Sequence, residues 1–197
     1  MINFMDFHKN ILLIWLAVML VFPTVRLAHA REPAVEEGVK AAILFNFIRF
    51  VDWPEAIMPE PPPPRVVAII GRDALQERVV ALASSDALAS RVSVLVVKDL
   101  DHLAASMEQI QVLYIARSAK KDIPRILDLL QARPVLTVCD DENFVRQGGM
   151  MNYVRDDSRI RFDINLDEAE KSRLKMSAKL FGLARVIVRN GAAREGQ

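Results

Sequence analysis

Four short β-branched runs, 66–70, 92–97, 112–116 and 135–139, each followed by a stretch of helical character, constrain this chain more than any other feature. The runs are apolar at successive positions, the pattern of strands covered on both faces, because an exposed face would alternate with polar residues. The intervening segments 73–83, 100–107, 123–132 and 143–147 read as helices or helical turns. Strand and helix in strict alternation predict an α/β fold with a mainly parallel central sheet flanked by helices on both faces.

The character changes after Gly148-Gly149. Residues 150–155 and 159–164 alternate apolar and polar across Asp156-Asp157-Ser158, which predicts a C-terminal antiparallel hairpin with one wetter face. Asn165 with Glu168 has the capping-box spacing and opens a helix ending near Arg173. Ser177 is placed to cap a final helix through about Arg185, and residues 190–197 read as a frayed end. Upstream, residues 39–51 are too long and Ala-rich for a strand and form a largely buried helix. Asp52-Trp53-Pro54 stops it, since a residue before proline is pushed out of the helical region. Pro59 and Pro61 to Pro64 then make a stiff extended connector.

The N-terminus is a different kind of segment. Ile11 to Phe22 is an uninterrupted apolar run after His8 and Lys9, and Ala28-His29-Ala30 has the small-x-small pattern of a cleavage site. Twelve residues span about 18 Å as a helix against a hydrocarbon core of about 30 Å, so residues 1–30 are expected to be a cleavable signal and 31–197 a single exported domain. Removing 1–30 takes away Lys9, Arg26 and Asp6 and leaves 24 basic and 24 acidic side chains. With no net charge, no long-range field steers the domain to nucleic acid. Cys139 is the lone cysteine, so no intramolecular disulfide forms, and its apolar run predicts a buried, inert thiol.

Catalytic patterns are thin. His102 is the one histidine beyond the expected signal, which disfavours a histidine triad or a His-rich metal site. There is no nucleophile elbow, P-loop or dinucleotide fingerprint, and Asp140-Asp141 directly after a strand reads as a helix cap. The expectation is a protein without enzyme activity, cofactor or metal. Three groups qualify as candidate ligand or partner sites, each against the competing reading of a solvated surface. Asn46, Arg49 and Asp52 recur at three-residue spacing and end at Trp53, where an arginine beside an indole can stack on a flat ligand. Arg159 and Arg161 share a strand face beside Arg155 and can grip a carboxylate or phosphate. Lys179, Gly182 and Arg185 line one face of the expected final helix.

Residues 39–54, VKAAILFNFIRFVDWP, resemble the N-terminal signature of the YfiR family, also described as DUF4154. A second block agrees: Leu136-Thr-Val-Cys-Asp140, Phe144, Gly148-Gly-Met150, Arg159 to Asn165, and Leu174-Lys-Met-Ser177-Ala-Lys-Leu180. The resemblance implies a periplasmic regulator of mixed α/β fold. Relatives bind the periplasmic domain of an inner-membrane diguanylate cyclase of the YfiN type and hold it inactive, lowering cyclic di-GMP and biofilm formation. It further implies release by an outer-membrane lipoprotein or by redox stress, a homodimer and a small-molecule ligand in a pocket. Redox control in relatives depends on disulfides, which Cys139 alone cannot supply within one chain. Two other classes stand beside this one: a small-molecule-binding sensor module for another membrane receptor or transporter, and a small hydrolase, for which the sequence offers no joined nucleophile and acid–base pair.

Overall fold

The computed structural model describes residues 34–54, 63–85, 90–157 and 159–196. The chain divides into two compact units, 1–37 and 38–197; residues 34–37 of the first are helical, and the sheets with the helices that cover them belong to the second. The expected signal 1–30 and most of the proline connector lie outside the described residues.

Helix α1, residues 38–50, opens the second unit. It runs into a two-residue strand β1 (Val51–Asp52) that pairs antiparallel with β8 (Lys175–Met176). The main sheet has eight strands. Four follow the alternating pattern: β2 (Arg65–Ile70), β3 (Val92–Val97), β4 (Val112–Ile115) and β5 (Leu136–Cys139). Helices α2 (Ala74–Ala83), α3 (Leu100–Ser106) and α4 (Ile123–Leu129) connect them. Strands β6 (Met151–Asp156) and β7 (Arg159–Asn165) form the expected hairpin. Next come α5 (Leu166–Lys171), α6 (Ala178–Phe181), β9 (Val186–Arg189) and β10 (Ala192–Glu195). The spatial order is β10-β9-β7-β6-β5-β4-β2-β3. Pairings from β3 through β6 are parallel, as is β7 with β9; β6–β7 and β9–β10 are antiparallel.

The continuous apolar runs have the cause expected. Val67 and Ile69 of β2 face a cluster with Leu44, Phe47, Leu75 and Val79, whereas Ala68 and Ile70 face the other side with Leu103, Ile123 and Ile126. Helices α1 and α2 thus cover one face and α3 and α4 the other. Each fully buried Leu, Ile or Phe side chain contributes about 1.5–3 kcal/mol. Phe47 anchors α1 between two sheet aromatics, its ring centroid 5.0 Å from Phe162 edge-on and 6.3 Å from Tyr153. The expected caps form, Asn165 accepting from the Glu168 N–H and Ser177 from that of Lys179. Two further helix starts are capped by Asp73, accepting from the N–H groups of Leu75 and Gln76, and by Asp99, accepting from that of His102. Among the described residues no helix is long and apolar enough to cross a membrane.

The C-terminus corrects the sequence reading. The final helix stops at Phe181 rather than near Arg185, and residues 186–195 are two sheet strands rather than a frayed end. The turn between them is Asn190-Gly191, with φ of +54° and +71°, the left-handed pair that a two-residue hairpin turn requires. Asp167 fixes that turn by accepting both of its N–H groups at 2.8 Å. Helix α4 likewise ends at Leu129, three residues short of the expected limit.

Two measurable consequences arise from the packing around β5. A Cβ on Gly149 would lie 2.2–2.4 Å from ring atoms of the fully buried Phe144. Gly149→Ala is therefore expected to lower the unfolding free energy by about 1–3 kcal/mol in urea titration. Cys139 is buried, and burial pushes its thiol up to about 12 from 9.0. A group whose folded pKa is raised stabilises fully below its unfolded pKa and loses that contribution as pH rises. Native stability should thus fall above about pH 9, by up to about 1.4 kcal/mol per pH unit from this thiol. Urea unfolding of Cys139→Val against the parent at two alkaline pH values checks it: the variant's loss should be the smaller.

Candidate functional site

In an open parallel sheet the loops that leave the carboxyl ends of the strands diverge where successive connections run to opposite faces. Here that point lies between β2 and β4, since β2 leads through α2 to β3 on its outer side while β3 returns across to β4. Gly71 follows β2 with φ of +88°, and a Cβ there would meet Ala119 Cβ at 2.8 Å and Ser118 Oγ at 2.9 Å. The two loops are thus pressed together, with the Arg72 N–H donating to Ser118 Oγ at 2.7 Å.

Charged side chains collect on this edge. The Asp73 carboxylate, besides capping α2, accepts from the Tyr114 hydroxyl at 2.7 Å and the Arg117 N–H at 3.0 Å. Burial foremost, then the Asp73 charge, raises the Tyr114 pKa far above its ordinary value, so the phenol stays a donor. Asp140, just past β5, binds Lys40 Nζ at 3.0 Å and Arg117 Nη2 at 3.3 Å. Lys40 comes from α1, a hundred residues away, and its side chain is 4% exposed. Asp141 accepts from the Asn143 N–H, the chief cause of its lowered pKa, and pairs with Lys120 at 3.1 Å. Beside this cluster a cleft of about 440 Å³ is lined by Gly71, Lys98, Asp101, Ser118, Asp122 and Arg125. It is polar and mixed in charge, suited to holding a small polar molecule. Among the described residues no cluster of three or more His, Cys, Asp or Glu could hold a metal ion.

The candidates read from the sequence fall elsewhere. Asn46, Arg49 and Asp52 are exposed along α1 and β1. Trp53 is buried, and the cation over its ring is Arg65, with Cζ 4.8 Å from the centroid, rather than Arg49. Arg159 and Arg161 do come together, lining a groove of about 740 Å³ with Ile43, Ile160, Phe162 and Leu183. Arg161 also donates to the Ala184 carbonyl at 2.9 Å and pairs with Asp156 at 3.4 Å. Arg185 lies before β9 rather than on a helix face, and grips buried Asp163 with Nε at 3.0 Å and Nη2 at 2.8 Å.

The carboxyl-edge residues Lys40, Asp73, Arg117 and Lys120 were not singled out in the sequence. The available signal was their position: Asp73, Arg117 and Asp140 each lie one to three residues past a strand that the pattern had located. The lysine on the apolar side of α1 was the other clue, because an unpaired buried ammonium is too costly to persist.

Fold and edge together define a wound α/β domain with a charged carboxyl-end cleft and a separate groove of mixed polarity. The model of the YfiR/HmsC-like family (DUF4154) matches residues 37–185, and the chain belongs to that family. The matched span contains every block that carried the resemblance and ends just before β9 and β10. No curated protein matches the sequence. Among solved structures, the ABC domain in complex with L-Trp from Streptococcus pneumonia has a TM-score of 0.52 at 9% identity, over 63% of this chain. The similarity spans 55% of that chain and is one of fold.

Equilibrium unfolding distinguishes structural from surface roles among the candidates. Trp53→Ala and Arg185→Ala should each lower the unfolding free energy by about 3 kcal/mol or more, the first by emptying core volume, the second by stranding Asp163. Arg49→Ala and Arg159→Ala should stay within about 0.5 kcal/mol of the parent.

Proposed function

We propose that this chain is an exported, periplasmic regulatory binding protein that holds a membrane diguanylate cyclase inactive and so lowers cyclic di-GMP and biofilm formation. Membership of the YfiR/HmsC-like family over residues 37–185 carries the reading, the family being regulatory rather than catalytic. The apolar run 11–22 followed by Ala28-His29-Ala30 supports export. The groove of Ile43, Ile160 and Leu183 rimmed by Arg159 and Arg161 offers the mixed apolar and charged surface that a regulated protein contact uses. Leu183, 58% exposed, is the residue there most in need of cover. A regulator shifts its partner only by binding one of that partner's states more tightly, so the groove would fit the inactive cyclase better than the active one. Release would come from an outer-membrane lipoprotein or a small effector competing for, or altering, that fit.

A second reading is favoured by the cleft at the strand ends: a small-molecule sensor for another membrane receptor or transporter, since open α/β sheets hold ligands at this position. Cellular cyclic di-GMP decides between them. Deletion should raise it, and complementation should restore it with the full chain but not with residues 31–197 alone, which lack the export segment. An unchanged level on deletion would sink the cyclase reading in favour of the sensor.

A further inference from the structure

Asn190-Gly191 is the one Asn-Gly pair in the sequence, and both residues are exposed at the turn between β9 and β10. Such a pair is chemically labile. The glycine backbone nitrogen, unhindered by a side chain, attacks the asparagine Cγ and a C–N bond forms. The side-chain nitrogen departs as ammonia, taking the proton that the glycine nitrogen gives up. Water then opens the five-membered imide at one of its two carbonyls. Opening at Cγ leaves aspartate; opening at the other leaves isoaspartate, in which the main chain runs through Cβ and Cγ. Among the described residues the Asn190 side chain has no hydrogen-bond partner, and a Cβ on Gly191 would meet nothing within 4 Å. Neither side-chain bonding nor crowding therefore impedes the reaction.

Two features of the turn do impede it. Asn190 has φ of +54°, in the left-handed region, where ψ is about +47°. That ψ points the Gly191 nitrogen away from the Asn190 Cβ, whereas ring closure needs the two on the same side of the Cα–C bond. The other feature is Asp167 on α5. Its carboxylate accepts the Gly191 N–H through Oδ2 and the Asn190 N–H through Oδ1, each at 2.8 Å. Attack requires the Gly191 nitrogen to lose that proton, and a neighbouring carboxylate disfavours the amide anion that results. We infer that Asn190 is a site of spontaneous conversion to isoaspartate, and that Asp167 holds the reaction off for as long as the β9–β10 hairpin stays closed. Opening is within reach of local fluctuation: among the described residues β10 pairs with β9 alone, and all four of its residues are exposed. The product does not reclose, because isoaspartate adds a carbon to the main chain of a turn that closes only through two left-handed residues. The hairpin forms one side of a cleft of about 530 Å³ lined by Phe181, Ile187, Arg189 and Arg194, so conversion removes a wall of that cleft.

Mass spectrometry of the purified full chain, aged in mildly alkaline buffer, tests this. Cleavage after Lys179, the last lysine, at acid pH releases residues 180–197, in which chromatography separates isoaspartate from aspartate and asparagine. The native chain should convert at least about tenfold more slowly than the same chain in urea, because only the opened fraction reacts. Asp167→Ala should recover most of that difference, and Asp167→Asn, which keeps an uncharged acceptor, should fall between. Hydrogen exchange at the Gly191 amide should accelerate in the same order, while the amides of β4 and β5 keep the parent's protection. Equal rates in the native and urea-unfolded parent overturn the inference, as does an unfolded chain that forms no isoaspartate, and neither result needs a variant to fold. A rate in Asp167→Ala at or below the parent's also overturns it, since the carboxylate would then be idle or acting as a base. Acceleration together with lost protection in β4 and β5 would trace the effect to global unfolding and overturn the role of Asp167 equally.

Discussion

The bidentate pair between Asp163 and Arg185 holds together the half of the sheet where parallel pairing gives way to antiparallel. Asp163 sits on β7 with almost no exposure, and a carboxylate so placed is sustainable only if its oxygens are satisfied. Arg185 supplies two donors and Asn152 of β6 a third at 3.2 Å. The network continues: Asn152 Oδ1 accepts the Val145 N–H, and Asn165 Nδ2 donates to the Val145 carbonyl at 2.7 Å. The helical turn before the hairpin is thereby tied to both of its strands. The same arginine directs the end of the chain, since its N–H donates to Phe162 and its carbonyl accepts from Gly196. The pair thus adds to the β7–β9 ladder and to the Asp167 contacts of the Asn190-Gly191 turn in fixing β9 and β10 beside β7.

A second ion pair does a comparable task at the other end of the chain. Lys40 reaches from α1 to Asp140, while the Tyr153 hydroxyl donates to the Lys40 carbonyl at 2.9 Å. The apolar face of α1 could slide along the sheet at small cost in buried area. A buried ammonium held by Asp140 cannot, which fixes the register of the helix. The polar edge of the sheet and the groove beside Ile43 are therefore positioned by one helix, although they face different parts of the surface.

The central architecture was legible because its cause is local. A strand covered on both faces must be apolar at nearly every position, and that leaves a mark any window of five residues shows, as at 66–70 and, with Thr137 the one polar member, at 135–139. The charged edge was less legible because its partners are distant: nothing near Lys40 announces Asp140, a hundred residues on. Trp53 looked like part of a surface stripe because Arg49 precedes it by one helical turn, but the chain leaves the helix at Phe50 and turns the indole inward beneath Arg65. The C-terminal hairpin carried a local signal that went unused. Asn190-Gly191 between Val186-Ile-Val-Arg and Ala192-Ala-Arg-Glu is the dipeptide that favours a tight hairpin, yet the four residues after it are all exposed and read as a tail.

The groove and the cleft at the strand ends differ in the chemistry they present. The groove joins the apolar Ile43, Ile160, Phe162 and Leu183 to Arg159, Arg161, Asp156 and Asp157, so its selectivity rests on shape and on charges of both signs. The cleft is lined by Lys98 and Arg125 beside Asp101 and Asp122, so selectivity there rests on charge more than on apolar fit. The two lie apart on the domain, because the cleft gathers at the ends of β2 and β3 and the groove at the β6–β7 hairpin, on the other side of β4 and β5.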